Sequence, residues 1–292
     1  MSSMLRTTFI ALFTTSALSA SAPLAAQEAV VDAAEWDRAR AALVASQPGP
    51  MAQAIDRWQQ LSASPNFGFG DYSAFILTYP SFPDEAKLRG YAEGRLAKDA
   101  VDTDRLIAFF DRYPPLTNPA RAQYAVALAT KQRPEALATA RAAWRGGSMS
   151  AATEAMLVSL FGSQFTQDDY DARMDALLWD RDTAAAARTL NSTSASRRSA
   201  FAARLTAAQG AYPMPVSEAA REPGYIFNLS RQLRSAGRTQ EAVNLLSSRP
   251  PLESLPHDQT AWVKELLTVA RAGGARAAQR IAASIDDGFE PG

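Results

Sequence analysis

The sequence has no cysteine, one histidine, four lysines and no long apolar run. Each shortage removes a class of answer. No disulfide framework can form, so an exported chain of this kind depends on packing alone. With His257 the only imidazole and no thiol present, neither an ordinary zinc set nor a nucleophile and histidine triad can be assembled. Thirty basic and thirty acidic residues cancel, which leaves no net field to hold nucleic acid or an anionic membrane surface. Phosphate-binding glycine fingerprints are missing too. Gly68-Phe69-Gly70 has neither a preceding strand nor the remaining glycines of such a loop.

What is present is alanine, 60 of 292 residues, within 47% apolar composition, and 26 arginines spread without a dense basic run. That balance belongs to a helix-rich globular protein. Residues 1–26 carry Arg6, an apolar stretch from Phe9 to Leu18 broken by threonines, and small residues ending in Leu24-Ala25-Ala26. This order predicts a signal peptide cleaved before Gln27, and the apolar stretch is far short of the roughly 20 residues a membrane span needs. Residues 27–292 are then expected to be one exported α-helical domain in the periplasm, with no membrane span.

From Trp36 onward the apolar spacing is helical. Asn118 as N-cap and Pro119 in the first turn open a segment striped by Ala120, Tyr124, Ala127 and Leu128. Pro134 opens the next, striped by Leu137, Ala140 and Trp144 and stopped by Gly146-Gly147. Thr166 and Asp258 are expected to cap two further helices, the second ending at Gly273-Gly274. About twelve to sixteen helices are expected, with no run of alternating β-branched residues to form a strand. Self-comparison adds a period: a shift of 34 aligns Ala74, Phe75, Tyr79, Pro80 and Ala86 with Ala108, Phe109, Tyr113, Pro114 and Ala120. Thirty-four residues is the length of a tetratricopeptide-type (TPR) hairpin, and such units must stack to bury both faces. The Pro- and Ser-rich stretches 191–199, 212–223 and 249–256 read as loops between hairpins.

Candidate functional residues are sparse. His257 precedes a helix start and is read as an exposed loop residue. Asp168-Asp169 falls in a helix first turn, where capping outweighs ion binding; Asp286-Asp287 is a second acidic pair. Trp58, Trp144, Trp179 and Trp262 could stack on sugar rings, but core packing is the favoured role. Tyr79 and Tyr113 are candidates for lining a concave surface, weighed against packing residues repeated with the hairpin.

Three groups of segments carry a family resemblance. These are Leu106 to Thr117 (LIAFFDRYPPLT), Arg133-Pro134-Glu135-Ala136 with Ala142-Ala143-Trp144, and Phe161 through Thr166 to Leu177-Leu178-Trp179. In this order they resemble the amino-terminal superhelical region of soluble lytic transglycosylases. Gly237-Arg238, Glu241-Ala242 and the Trp262 segment are similar to its continuation, so the resemblance runs from about residue 50 to the end. It implies a right-handed superhelical (U-shaped) solenoid of TPR-like antiparallel hairpins. It also implies a periplasmic enzyme that cuts peptidoglycan glycan strands between N-acetylmuramic acid and N-acetylglucosamine, leaving a 1,6-anhydro product. The family's catalytic glutamate belongs to a separate lysozyme-like domain and an ESxF motif; the one Glu-Ser pair here, Glu253-Ser254, is followed by Leu255-Pro256. The expectation is therefore a superhelical scaffold, incomplete at its C-terminal end. It has no catalytic, cofactor-binding or metal-binding residue assigned and no activity of its own. Its expected partners are glycan strands and a downstream catalytic domain or periplasmic protein. The alternative is a stand-alone periplasmic TPR-like adaptor for a protein partner.

Overall fold

The computed structural model describes residues 33–46 and 49–284. The expected signal peptide, residues 1–26, and the pair Asp286-Asp287 lie outside the described residues, as does the C-terminal end. The described residues form fourteen α-helices, three short 3-10 turns and no strand. The all-α expectation therefore stands. No described helix is long and apolar enough to cross a membrane.

Contacts divide the chain into two units, Met1–Gln53 and Ala54–Gly292. The first contains α1 (Ala33–Ser46) and the opening turn of α2 (Pro50–Ala63). The second holds the rest in chain order: α3 (Phe69–Thr78), α4 (Glu85–Arg95), α5 (Thr103–Arg112), α6 (Asn118–Thr130), α7 (Ala136–Arg145), α8 (Ala151–Phe161), α9 (Gln167–Asp180), α10 (Thr183–Thr189), α11 (Arg198–Ala208), α12 (Pro223–Ser235), α13 (Thr239–Ser248) and α14 (Gln259–Ala283).

The 34-residue period is visible as helix spacing. Helices α3, α5, α7, α9 and α11 begin at residues 69, 103, 136, 167 and 198, so successive starts are 34, 33, 31 and 31 residues apart. Their partners α4, α6, α8 and α10 begin at 85, 118, 151 and 183, spaced by 33, 33 and 32. Even the chain reversal repeats. Tyr79 ends α3 at φ −124°, ψ 71° and Tyr113 ends α5 at φ −127°, ψ 87°, and each N–H donates to the carbonyl four residues back, Phe75 and Phe109. Helices α5 to α8 touch in sequence, as do α9 to α14 and the pair α3 and α4, and α4 with α6, α6 with α8, α7 with α9 and α9 with α11 meet as well. A hairpin of ten-residue helices leaves one face of each helix uncovered, and these next-but-one contacts cover it.

Local signals explain where the helices start and stop. Thr166 caps α9 through the Asp169 N–H while Asp169 accepts from the Thr166 N–H, a reciprocal capping box. Asp258 caps α14 through the Ala261 N–H at 2.8 Å. At α6 the cap is Thr117 rather than Asn118, because Asn118 is already helical and its amide donates to the Ala143 and Ser148 carbonyls at 3.0 and 3.1 Å. The side chain expected to begin one helix instead joins it to the end of the next. Gly147 ends the α7 turn at φ 88°, and an added Cβ would lie 2.8 Å from that of Ala176, so both conformation and close approach require glycine. Gly273-Gly274 ends the Asp258-capped stretch of α14 as expected, and a second helical stretch follows in the same element. Gly274, at φ 74° and ψ −179°, breaks it into two helical stretches, and Ala277 and Ile281 beyond the break return to the core.

Candidate functional site

The chemistry-bearing residues chosen from sequence are mostly structural. Trp144 is buried, stacked on Phe165 at 4.8 Å with the Arg173 guanidinium 4.0 Å over its ring. Trp179 stacks on Phe227 at 4.3 Å, Trp262 is fully buried, and Trp58 donates its indole N–H to the Pro83 carbonyl at 2.9 Å. Packing is thus the role of all four. Tyr79 and Tyr113 also pack: their rings lie 5.1 Å from Phe75 and 5.6 Å from Phe109 at the margin of the aromatic core. Neither lines the cavities described below. His257 is exposed immediately before the α14 cap, and Glu253-Ser254 is exposed in the loop ahead of it.

Gly68-Phe69-Gly70 begins α3, and the position a bound anion would take is filled from within. The Asp99 carboxylate accepts from the Phe69 N–H at 2.8 Å and Asp71 from the Gly68 N–H at 3.0 Å. That backbone hydrogen bond, with help from Arg95, holds the Asp99 carboxyl below its ordinary range. The buried carboxylates of the described residues are tied in the same way. Glu93 accepts from the Leu116 and Thr117 N–H groups, Asp171 from Ser194, Asp169 from Thr166 and Arg145, Glu222 from Arg197 and Arg204, and Glu265 from Ser230 and Arg234. An acid/base carboxyl needs an apolar or like-charged setting that holds a proton near neutral pH; these acids instead sit against cations, hydroxyls and N–H donors.

Two concave features of the described residues lie on either side of α12. One is a groove of about 640 Å³ between the segment around Tyr212 to Ala220 and helices α12 and α13, with Tyr225, Leu229, Leu233 and Leu245 on its walls. The Tyr225 hydroxyl accepts from the Val216 N–H at 3.4 Å and holds this segment in place, and burial raises its pKa. At the rim, Arg238 lies 4.3 Å over the Tyr212 ring and pairs with Glu241, while Met214 is 83% exposed.

The other is a polar cavity of about 350 Å³ where α9, α11 and α12 end together. Arg181 closes α9 in the left-handed region at φ 62°, and Gly210 follows α11 at φ 91°. Arg231 and Gln232 enter from the last two turns of α12. Arg234 is neutralised by Glu265, with its Nε at 2.8 Å and its terminal nitrogen at 2.6 Å from the carboxylate oxygens. Asn228 is held by Arg204 and the Leu178 carbonyl. Arg231 makes no hydrogen bond or ion pair; its guanidinium lies over the Phe227 ring at 5.3 Å, and burial, then the like charge of Arg181, lowers its pKa. Sequence reading passed over Arg181, Arg231 and Gln232, since two arginines among 26 and a lone glutamine carry no signal until helix ends from three parts of the chain converge. No family model matches the chain, and neither does any curated protein or solved structure.

Proposed function

We propose that the protein is a binding scaffold, a right-handed superhelical solenoid of TPR-like antiparallel hairpins that forms the superhelical region of a periplasmic lytic transglycosylase. In this reading it retains peptidoglycan glycan strands while a separate catalytic domain cleaves them. The observation that carries it is the recurrence of helix starts every 31 to 34 residues with the same tyrosine-closed reversal at α3 and α5. That is the period of a stacked hairpin array, and the family-like segments from Leu106 to Trp179 fall in order along it. The structural ties made by the buried carboxylates favour binding over acid/base chemistry.

Incubating the full chain with purified sacculi tests this. Sedimentation with the sacculi and no release of anhydro-muropeptides is the expected result. Release by this chain alone would refute the scaffold reading, and failure to sediment would remove peptidoglycan as the partner. The second reading, a periplasmic adaptor for a protein, draws on the apolar groove beside α12 and the exposed Met214 next to Pro215 of its wall.

A further inference from the structure

We infer that the cavity at the joined ends of α9, α11 and α12 binds the free carboxylate of an N-acylated amino acid, the unit that ends a short peptide. One solvent-facing set of donors and one buried acceptor define the ligand. Arg231 supplies guanidinium N–H donors with no acceptor: its face is covered by Phe227, which leaves the donor edge available. Arg181, an exposed residue, lines the same cavity and forms no side-chain hydrogen bond or ion pair with the protein. Gln232 supplies the opposite need. Its side-chain nitrogen donates to the Gly210 carbonyl at 3.4 Å, which fixes the amide orientation because a carbonyl can only accept. The Gln232 Oε1 is then buried without a partner, and the residue is only 5% exposed.

A buried acceptor left unpaired costs about 1–3 kcal/mol; Oε1 is covered in the empty cavity that Gln232 lines, so a ligand N–H is met by a turn of the Gln232 amide and then supplies the donor that Oε1 lacks. Sulfate or acetate brings acceptors alone and sets a lone pair against Gln232. An N-acylated amino acid carries a carboxylate for the arginines and, one carbon away, an amide N–H for Gln232. The net field also favours an anion. Each of the three helix C-termini contributes roughly half a negative charge, together less than the two guanidinium charges, and Glu265 is already matched by Arg234. A volume of about 350 Å³ is at the small end of ligand sites, suited to one or two amino-acid residues. Stem peptides of peptidoglycan end in such units; that source rests on the function proposed above, whereas the recognition chemistry does not.

Calorimetric titration of the full chain with N-acetyl-D-alanyl-D-alanine, its L,L isomer and the C-terminal amide of each tests the site. We expect saturable binding of at least one free acid, with its amide, acetate and sulfate each about tenfold weaker or worse. Arg231→Gln should weaken the acid about tenfold, since a charge-assisted pair is lost. Gln232→Leu should narrow the gap between acid and acetate. Arg271→Gln, on an exposed part of α14, should change nothing, and circular dichroism checks that each variant is folded. No saturable binding of either acid, equal binding of acetate, or indifference to Arg231→Gln would overturn the inference. Dipeptide binding without sedimentation on sacculi would keep the cavity and discard the peptidoglycan source. Sedimentation without dipeptide binding would do the reverse.

Discussion

Helices α3 to α8 and helices α9 to α14 solve the same packing problem with different side chains. The first half is held by one continuous core of aromatics, leucines and alanines, with Phe69, Phe109 and Phe110 in edge and tilted contacts 5.4 to 6.4 Å apart. Its buried polar side chains are few: Ser73, Glu93 and Thr153. In the second half the apolar core breaks into smaller clusters. Between them lie fully buried charges. Arg173 meets Glu154 and the Gly147 carbonyl, and Arg204 meets Asp175, Glu222 and Asn228. An apolar core tolerates changes of detail, because contacts among similar groups can be exchanged. A buried ion network does not, because removing one partner strands the others. The polar cavity is found in the second half, where the Arg231 guanidinium and the Gln232 Oε1 extend the same polar interior without a hydrogen-bond partner.

Breaking that network should give the largest effect. Arg204→Ala leaves Glu222 and Asn228 buried without their main donor and is expected to cost about 3–5 kcal/mol in urea unfolding. A loss under about 1 kcal/mol would show that the network is not structural. Leu128→Ala, fully buried in the aromatic half, should cost about 2–4 kcal/mol through transfer and cavity terms. If it exceeded the loss at Arg204, the contrast between the halves would fail. Thr166→Ala removes one arm of the capping box at the junction of the two halves and should cost about 1 kcal/mol, read as a lowered urea midpoint at unchanged slope.

The smallest expected effects are in pH. The carboxyls of Asp99, Glu135 and Glu241 are held below their ordinary values, by the Phe69 N–H, by Glu135's own backbone and Arg133, and by Arg238 respectively. Folding therefore binds fewer protons than unfolding, so their contribution is present above the unfolded values near 4 and lost as pH falls through the folded ones. Tyr124 shifts the opposite way. Burial first, and then its hydrogen bond to Asp111, push its hydroxyl up to about 12, so stability should fall as pH rises above about 10. Thermal midpoints across pH 3–6 and pH 9–12 check both signs. Asp99→Asn should flatten the acidic limb and Tyr124→Phe the alkaline one.

The aromatic half was the more legible in sequence. Its 34-residue echo is carried by side chains that pack in the same place twice, so identity at Phe75 and Phe109 or Tyr79 and Tyr113 reports a shared environment. Caps at Thr166 and Asp258 were legible because the hydrogen bonds close within three residues. Asn118 misled for the opposite reason: its partners at Ala143 and Ser148 are 25 and 30 residues away. Gly273-Gly274 reads as a stop and Gly274 is one; what sequence did not show is the second helical stretch beyond it, sustained by the burial of Ala277 and Ile281 among apolar neighbours.

The candidate cavity was not legible at all. Arg181, Gly210 and Arg231 belong to three helices whose ends meet only when the hairpins stack. Composition, period and capping residues determined an all-helical chain and the position of most helices, because those signals act within a turn or a single hairpin. Which polar groups are paired and which are left open was decided by the tertiary structure. Burial converts an arginine or glutamine from a solvated surface group into one whose unmet hydrogen bond has an energetic cost, and only packing between distant segments sets where that burial occurs.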